Sequence, residues 1–314
     1  MTKTIRSTRF VPLASVITTL FCVTLWSTPA SAGCTPPAPM KLQLESLQRD
    51  KWVLPDSATR QALAIAVIDC LGAPDPVLRD ELAYEALSAW MRNKQLMPET
   101  LRTINGKLQA ALNGGKSNVG SPSNQTGFLQ PFAALALAEV ARVDRVQAFL
   151  TEEELARILT TSTKYLTNVR DYRGFVDGEG WRHGVAHGAD LMLQLALNQR
   201  LTKPQLDRIL AAIASQVTPQ GEHFYRYREG ERLMAPVFYI ARRDVYQEAD
   251  WSAWIATLTS ATNSGEPTSQ VSLTRRHNLS GFLLPLYFSL RESGDAGQRE
   301  RLLPAVTKAV NSLN

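Results

Sequence analysis

The sequence predicts an all-α protein made of stacked helical hairpins, an α-solenoid of the HEAT or armadillo kind. Three observations carry that expectation. Apolar residues recur at three- and four-residue spacing along most of the chain, while alternating strand-like runs bounded by hairpin turns are scarce. Helix start and stop residues punctuate this pattern. An apolar triplet spaced five and then three also recurs: Leu96, Leu101, Ile104; Leu150, Leu155, Ile158; Leu201, Leu206, Ile209. The last two copies read LTEEELARIL and LTKPQLDRIL. Thr151 with Glu154, and Thr202 with Gln205, fit a capping box, in which a hydroxyl and a carboxylate or amide satisfy orphan N–H groups. Offsets of 54 and 51 residues leave room for one helix, a loop and a second helix per unit. Such hairpins cannot bury both faces alone and stack on their neighbours.

In chain order, residues 1–32 read as a secretory signal. Lys3, Arg6 and Arg9 give a positive start, Val11 to Leu25 is an apolar run too short to span a membrane comfortably, and Ala30-Ser31-Ala32 is a cleavage site. An alternative is a lipoprotein signal ending before an acylated Cys34, although Ser31 stands where such signals usually carry leucine. The chain is therefore expected to be exported, periplasmic or secreted, and to meet a membrane only through the signal or a lipid on Cys34. The signal holds three of the five net positive charges, so the mature chain would carry +2 (5 − 3). No basic tract remains to argue for nucleic acid. Cys22 leaves with the signal. Cys34 and Cys70 remain, and in an oxidising compartment they either pair as one disulfide or stay as two free thiols.

Residues 33–55 are expected as a Pro-rich tether and 56–314 as a single helical-repeat domain. Asp56 or Ser57 caps a helix running to Leu71, with Gly72 as its stop. Asp75-Pro76 starts a helix through Leu78, Leu82, Ala86 and Trp90. Intra-repeat loops fall at 113–126, 168–180 and 217–229, with a further loop near Asn263 to Gln270 that precedes Arg275, Arg276 and His277. Stacking would set equivalent loops along one edge, which is how solenoids build binding surfaces. Arg173, Trp181, His223, Tyr225, Arg226 and Tyr227 are candidate ligand contacts there.

The densest stretch is Asp171 to Asp190, DYRGFVDGEGWRHGVAHGAD. It holds two of the four histidines and five glycines. Asp177-Gly178-Glu179-Gly180 reads as a turn into a helix. His183 and His187 lie four apart on one helical face, and Asp190 joins it three residues on. His183 would sit in the first turn, where the helix dipole disfavours imidazolium and leaves the neutral ring that binds metal or accepts a proton. His183, His187 and Asp190 are thus candidate ligands of a divalent metal, and His183, His187 and Asp171 candidate acid–base groups. Equally, histidines on a packed helix often only bond a neighbour. Gly184 and Gly188 form a second pair that costs helix stability unless something approaches closely.

Other motifs fail. Gly115-Lys116-Ser117 resembles the end of a phosphate loop, but Ala110 stands where glycine is required. His183-Gly184 lacks the glutamate of H-E-x-x-H, and neither a G-x-S-x-G elbow nor a CxxC framework occurs. Arg226, Arg228 and Arg232 either bind an acidic ligand or form a solvated face.

PDPVLRDELAYEALSAW (Pro74 to Trp90) and DYRGFVDGEGWRHGVAHGADLMLQLALN (Asp171 to Asn198) resemble a bacterial family known only as domain of unknown function 2785. With LTEEELARIL between them, the resemblance covers most of the mature chain. It implies an all-helical fold and supplies no catalytic residues. Two readings follow: a non-enzymatic exported protein that binds a ligand or protein along the loop edge, or a metal-dependent or acid–base hydrolase using His183 and His187.

Overall fold

The computed structural model describes Met1, Cys34 and residues 37–114, 127–260 and 269–313. The expected export signal, and nearly all of the expected loops at 113–126 and 263–270, lie outside these residues. Among the described residues the fold is all-helical except for one two-stranded ribbon.

Helices alternate between two packing rows. In one row, α2 (Ser57–Ala66), α4 (Pro98–Asn113), α6 (Glu152–Asn168) and α8 (Lys203–Val217) pack each on the next. In the other, α3 (Glu85–Arg92), α5 (Leu129–Val146), α7 (Gly184–Ala196), α9 (Glu229–Ile240) and α11 (Gln270–Arg291) do the same, α3 meeting α5. Within pairs, α4 packs on α5, α6 on α7 and α8 on α9. The array then closes differently: α12 (Ala296–Asn311) packs on both α10 (Glu248–Ser260) and α11.

The repeated triplets are what the rows bury. All nine of their residues are in the core. Thr151 N donates to Glu154 Oε2 at 2.8 Å, and Thr202 N to Gln205 Oε1 at 2.8 Å, so both expected capping boxes form. A fourth copy follows at Tyr246, Trp251 and Trp254, with aromatic residues where the others carry leucine and isoleucine. Its cap is Asp250, which accepts from Gln247 N at 2.8 Å.

Buried polar groups tie successive pairs. Asp144, at the end of α5, accepts from Phe149 N (3.0 Å), Leu150 N (2.9 Å), Asn198 Nδ2 (3.1 Å) and Arg200 Nη1 (3.1 Å). These bonds satisfy a carboxylate that is otherwise sealed from water. The buried Gln216 amide donates to Leu166 O at 2.7 Å, joining α8 to α6.

The region 33–55 is a correction. It is not an extended tether: Pro37–Arg49 forms helix α1, which packs on the π-helical turn Val77–Tyr84 that leads into α3. Leu44 and Leu47 bury the helical face that Met40 begins, a spacing the prolines at 36 to 39 obscure. Cys34 and Cys70 are joined in a disulfide, with both residues buried. Asp56 caps α2 by accepting from Thr59 N at 2.7 Å, and the helix tightens to a 3-10 turn over Val67–Gly72.

Candidate functional site

The site forms where the α6–α7 loop meets the α8–α9 loop. The first loop folds into a ribbon, β1 (Phe175–Val176) and β2 (Gly180–Trp181), paired Phe175 to Trp181 and Val176 to Gly180. The four residues expected as a turn close this ribbon, and both of their glycines adopt positive φ. Two strand residues are too few to show an alternating pattern, which is why the ribbon was not anticipated.

Two buried arginines hold the ribbon from behind. Arg79, from the π-helical turn, donates to Glu179 O at 2.8 Å and to Asp80 Oδ1 at 2.6 Å. Its guanidinium lies 3.9 Å from the Phe128 ring centroid, and that of Arg182 lies 4.2 Å from the same centroid. Both arginines are sealed from solvent, and Arg182 also pairs with Glu179. Stacked contacts of this kind compensate cations withdrawn from water.

His183 and Arg228 occupy the left-handed region, with φ of 54° and 66°. Each is the residue just before a helix, α7 or α9. A side chain in this region costs about 1–2 kcal/mol, so tertiary contacts must hold both junctions. His183 stacks on Trp181 with ring centroids 4.5 Å apart. Its Nε2 lies 3.8 Å from Oε1 of the buried Glu229 and makes no hydrogen bond. Burial, then the Arg232 charge, pulls the His183 pKa down to about 4. The ring is neutral, but its environment rather than the helix dipole makes it so. Burial likewise raises the Glu229 carboxyl above its ordinary range, and backbone N–H groups, Tyr227 N at 2.9 Å among them, partly offset this.

His187 is a packing group. Its Nδ1 lies 3.2 Å from Pro131 O, so this nitrogen carries the proton, and its ring meets the Phe132 edge at 5.1 Å. Burial, then His183 and Arg232, hold its pKa at about 3. Asp190 is committed to Arg232, whose Nε donates to Oδ1 at 2.7 Å. His187 Nδ1 is engaged by Pro131 O and Asp190 by Arg232, which leaves His187 Nε2 as the one ring nitrogen of that residue with a free lone pair. Among the described residues no three His, Cys, Asp or Glu side chains gather as metal ligands.

The remaining candidates divide. Asp171 pairs with Arg173 beside Gly127. His223 stacks on Tyr172 at 5.1 Å, and its carbonyl accepts from Asn278 at 2.9 Å. Tyr225 is not at the surface: its buried hydroxyl donates to Gln216 O at 2.8 Å. It is a strut that pins the loop, which correct placement of the loop could not reveal from sequence. Arg226 is exposed. Tyr227 lies across Gly174, where any Cβ would fall inside its ring, and its hydroxyl donates to Phe175 O at 3.2 Å. Trp181 meets Phe175 at 5.2 Å and Tyr227 at 5.4 Å, all edge to face. Phe175 is 42% exposed and Tyr227 37%. The three rings form one aromatic patch on the interlocked loops.

Beneath the patch, Tyr172, Arg173, His183, Gly184, Val185 and Glu229 surround a crevice of about 150 Å³, too narrow for a water-sized sphere to move in. Sequence reasoning missed Phe175 and Glu229. It also missed the pairing of Glu139 on α5 with Arg92 (Nε to Oε2, 2.9 Å) and Tyr84 (3.4 Å). A single carboxylate inside the apolar run from Phe132 to Val140 was the available signal for that last group.

A family model described as "Protein of unknown function (DUF2785)" matches residues 116–288. That range contains the ribbon and both loops but not the Pro74 to Trp90 stretch. No curated protein and no solved structure matches the chain.

Proposed function

The chain belongs to the DUF2785 family, and on this site's geometry we propose that it is an exported binding protein, a solenoid of stacked hairpins that holds its ligand against Phe175, Trp181 and Tyr227. The exposed aromatic patch is the observation that carries this reading. Three rings share one surface at the junction of two loops: Tyr227 is fixed by its bond to Phe175 O and its contact with Gly174, Trp181 by the stacked His183, and Phe175 packs edge to face on Trp181. Fixed rings lose little conformational entropy on binding, so the patch is preorganised for a flat apolar face such as the C–H face of a sugar ring. The Asp171–Arg173 and Arg228–Glu231 pairs flank it with polar groups.

The row-on-row helix packing supports the solenoid reading. The N-terminal pattern and the Cys34–Cys70 disulfide support export, because disulfides persist in oxidising compartments. No helix of the described residues is long and apolar enough to cross a membrane.

The test is calorimetric titration with oligosaccharides, chito- and malto-series, and with apolar peptides. Trp181→Ala and Tyr227→Ala should each weaken the binding found by at least ~10-fold, in keeping with buried aromatic anchors. Undiminished binding by both variants would remove the patch from consideration.

A second reading, acid–base hydrolysis, rests on the unbonded His183 Nε2 facing Glu229 at 3.8 Å. It requires Trp181 or Tyr227 to swing aside and open the crevice, and His183→Asn would then abolish turnover.

A further inference from the structure

A second site, independent of the loop edge, lies between α8 and α10. A cleft of about 400 Å³ separates these helices, within the range of small-molecule pockets. Leu210, Ala211 and Ala214 line one side, and Trp251 and Trp254 the other. The Trp254 indole is fixed by a 3.3 Å bond to Leu210 O. Trp251 is fully buried, and its Nε1–H has no acceptor among the described residues. This is the aromatic fourth copy of the repeat, so at the cleft indoles stand where earlier units set leucine and isoleucine, Trp254 half-buried and Trp251 sealed from solvent.

The polar end of the cleft already holds a cation. The Lys203 ammonium lies 3.4 Å from Asp207 Oδ1, 3.9 Å from Asp250 Oδ1 and 4.4 Å from the Tyr246 ring centroid. Tyr246 is itself fixed, donating to Asp207 at 2.7 Å. Two carboxylates and one ammonium leave a net charge of −1 at this end. The lysine side chain is 40% exposed and reaches in from the first turn of α8.

We propose that this cleft binds a small organic ammonium ion with a planar apolar body, the ammonium replacing that of Lys203 between Asp207, Asp250 and Tyr246. Cation–π attraction and two carboxylates select the charge, and the Trp254 indole with Ala211 and Ala214 of α8 selects the body. An anionic ligand would meet two carboxylates beside the Lys203 ammonium.

The test is titration of the folded protein with 2-phenylethylammonium, with 2-phenylethanol and phenylacetate as neutral and anionic counterparts. Calorimetry gives the affinity, and the indole N–H resonances give the location. The ammonium should bind at least tenfold more tightly than either counterpart and shift the Trp254 signal. Asp250→Asn should weaken it. Lys203→Met, which removes the internal competitor, should tighten it by roughly tenfold, the combined weight of one exposed ion pair and one cation–π contact. Should Asp250→Asn fail to fold, wild type against Lys203→Met decides alone. Equal binding of 2-phenylethanol, preferred binding of phenylacetate, absence of binding, or weaker binding by Lys203→Met would each overturn the proposal.

Discussion

Lowering the pH from 7.5 to 5.5 should remove about 2–3 kcal/mol of stability through His183 and His187, and His223, also held down by burial, slopes the same way. His183 and His187 have pKa values near 4 and 3 in the folded chain, against about 6.5 when unfolded. The folded values are depressed, so the unfolded chain takes up protons first. Stability is complete above pH 6.5 and falls as pH drops toward the folded values. One unit below 6.5, each histidine contributes a loss of about 1.4 kcal/mol, because the unfolded ring is then almost wholly charged and the folded ring is not. Glu229, Asp190 and Asp80, raised by burial, slope the opposite way as acid is added. The decisive readout is therefore the difference between wild type and His187→Ala. Urea denaturation at both pH values should show the variant less stable at pH 7.5 by about 2–4 kcal/mol, the loss of one buried hydrogen bond and an aromatic contact with a cavity left behind. It should also show a pH dependence smaller by about 1.4 kcal/mol. A variant that keeps the full wild-type pH dependence would refute the assignment, as would a His187 ring titrating near 6.5 by NMR.

Three further outcomes are expected. Cys70→Ala should cost about 3–4 kcal/mol, because the bridge closes a segment of 36 residues in the unfolded chain; thermal melts of the variant and of reduced wild type should agree. Asp144→Ala should cost about 3–5 kcal/mol, since it leaves the buried Asn198 amide and two backbone donors without an acceptor, while Arg200 keeps Glu152, and a loss below 1 kcal/mol would show that water replaces the carboxylate. At Gly230 a new Cβ would lie 2.6 Å from the Gly281 carbonyl carbon, so Gly230→Ala should force α9 from α11 and cost at least ~2 kcal/mol by denaturant titration.

The helical fold was legible because its signals are local. Apolar triplets, Thr-capped helix starts and helix stops act over a few residues, and all three triplets are buried where expected. The fourth triplet escaped notice because Tyr246, Trp251 and Trp254 share the spacing but not the residue types. The stretch from Asp171 to Asp190 supplies the ribbon and His183, which lines the crevice. Helical spacing places His183, His187 and Asp190 on one face, but cannot show that His187 Nδ1 faces Pro131 O or that Asp190 pairs with Arg232. Glu229 reaches His183 only because two loops cross, and no periodicity encodes a crossing. The N-terminal segment failed for the opposite reason: its prolines outweighed an apolar spacing that was present.

The bond from Arg79 to Glu179 spans 100 residues. The clasp couples the ribbon to the first helices, so its amides should exchange with solvent in step with theirs rather than as an independent unit. It also sets where the chain can be cut. A fragment beginning at residue 116 would keep every aromatic residue of the patch and lose the guanidinium that holds Phe128 and the Glu179 carbonyl in place. The boundary drawn by shared sequence therefore cuts a bond that the ribbon rests on.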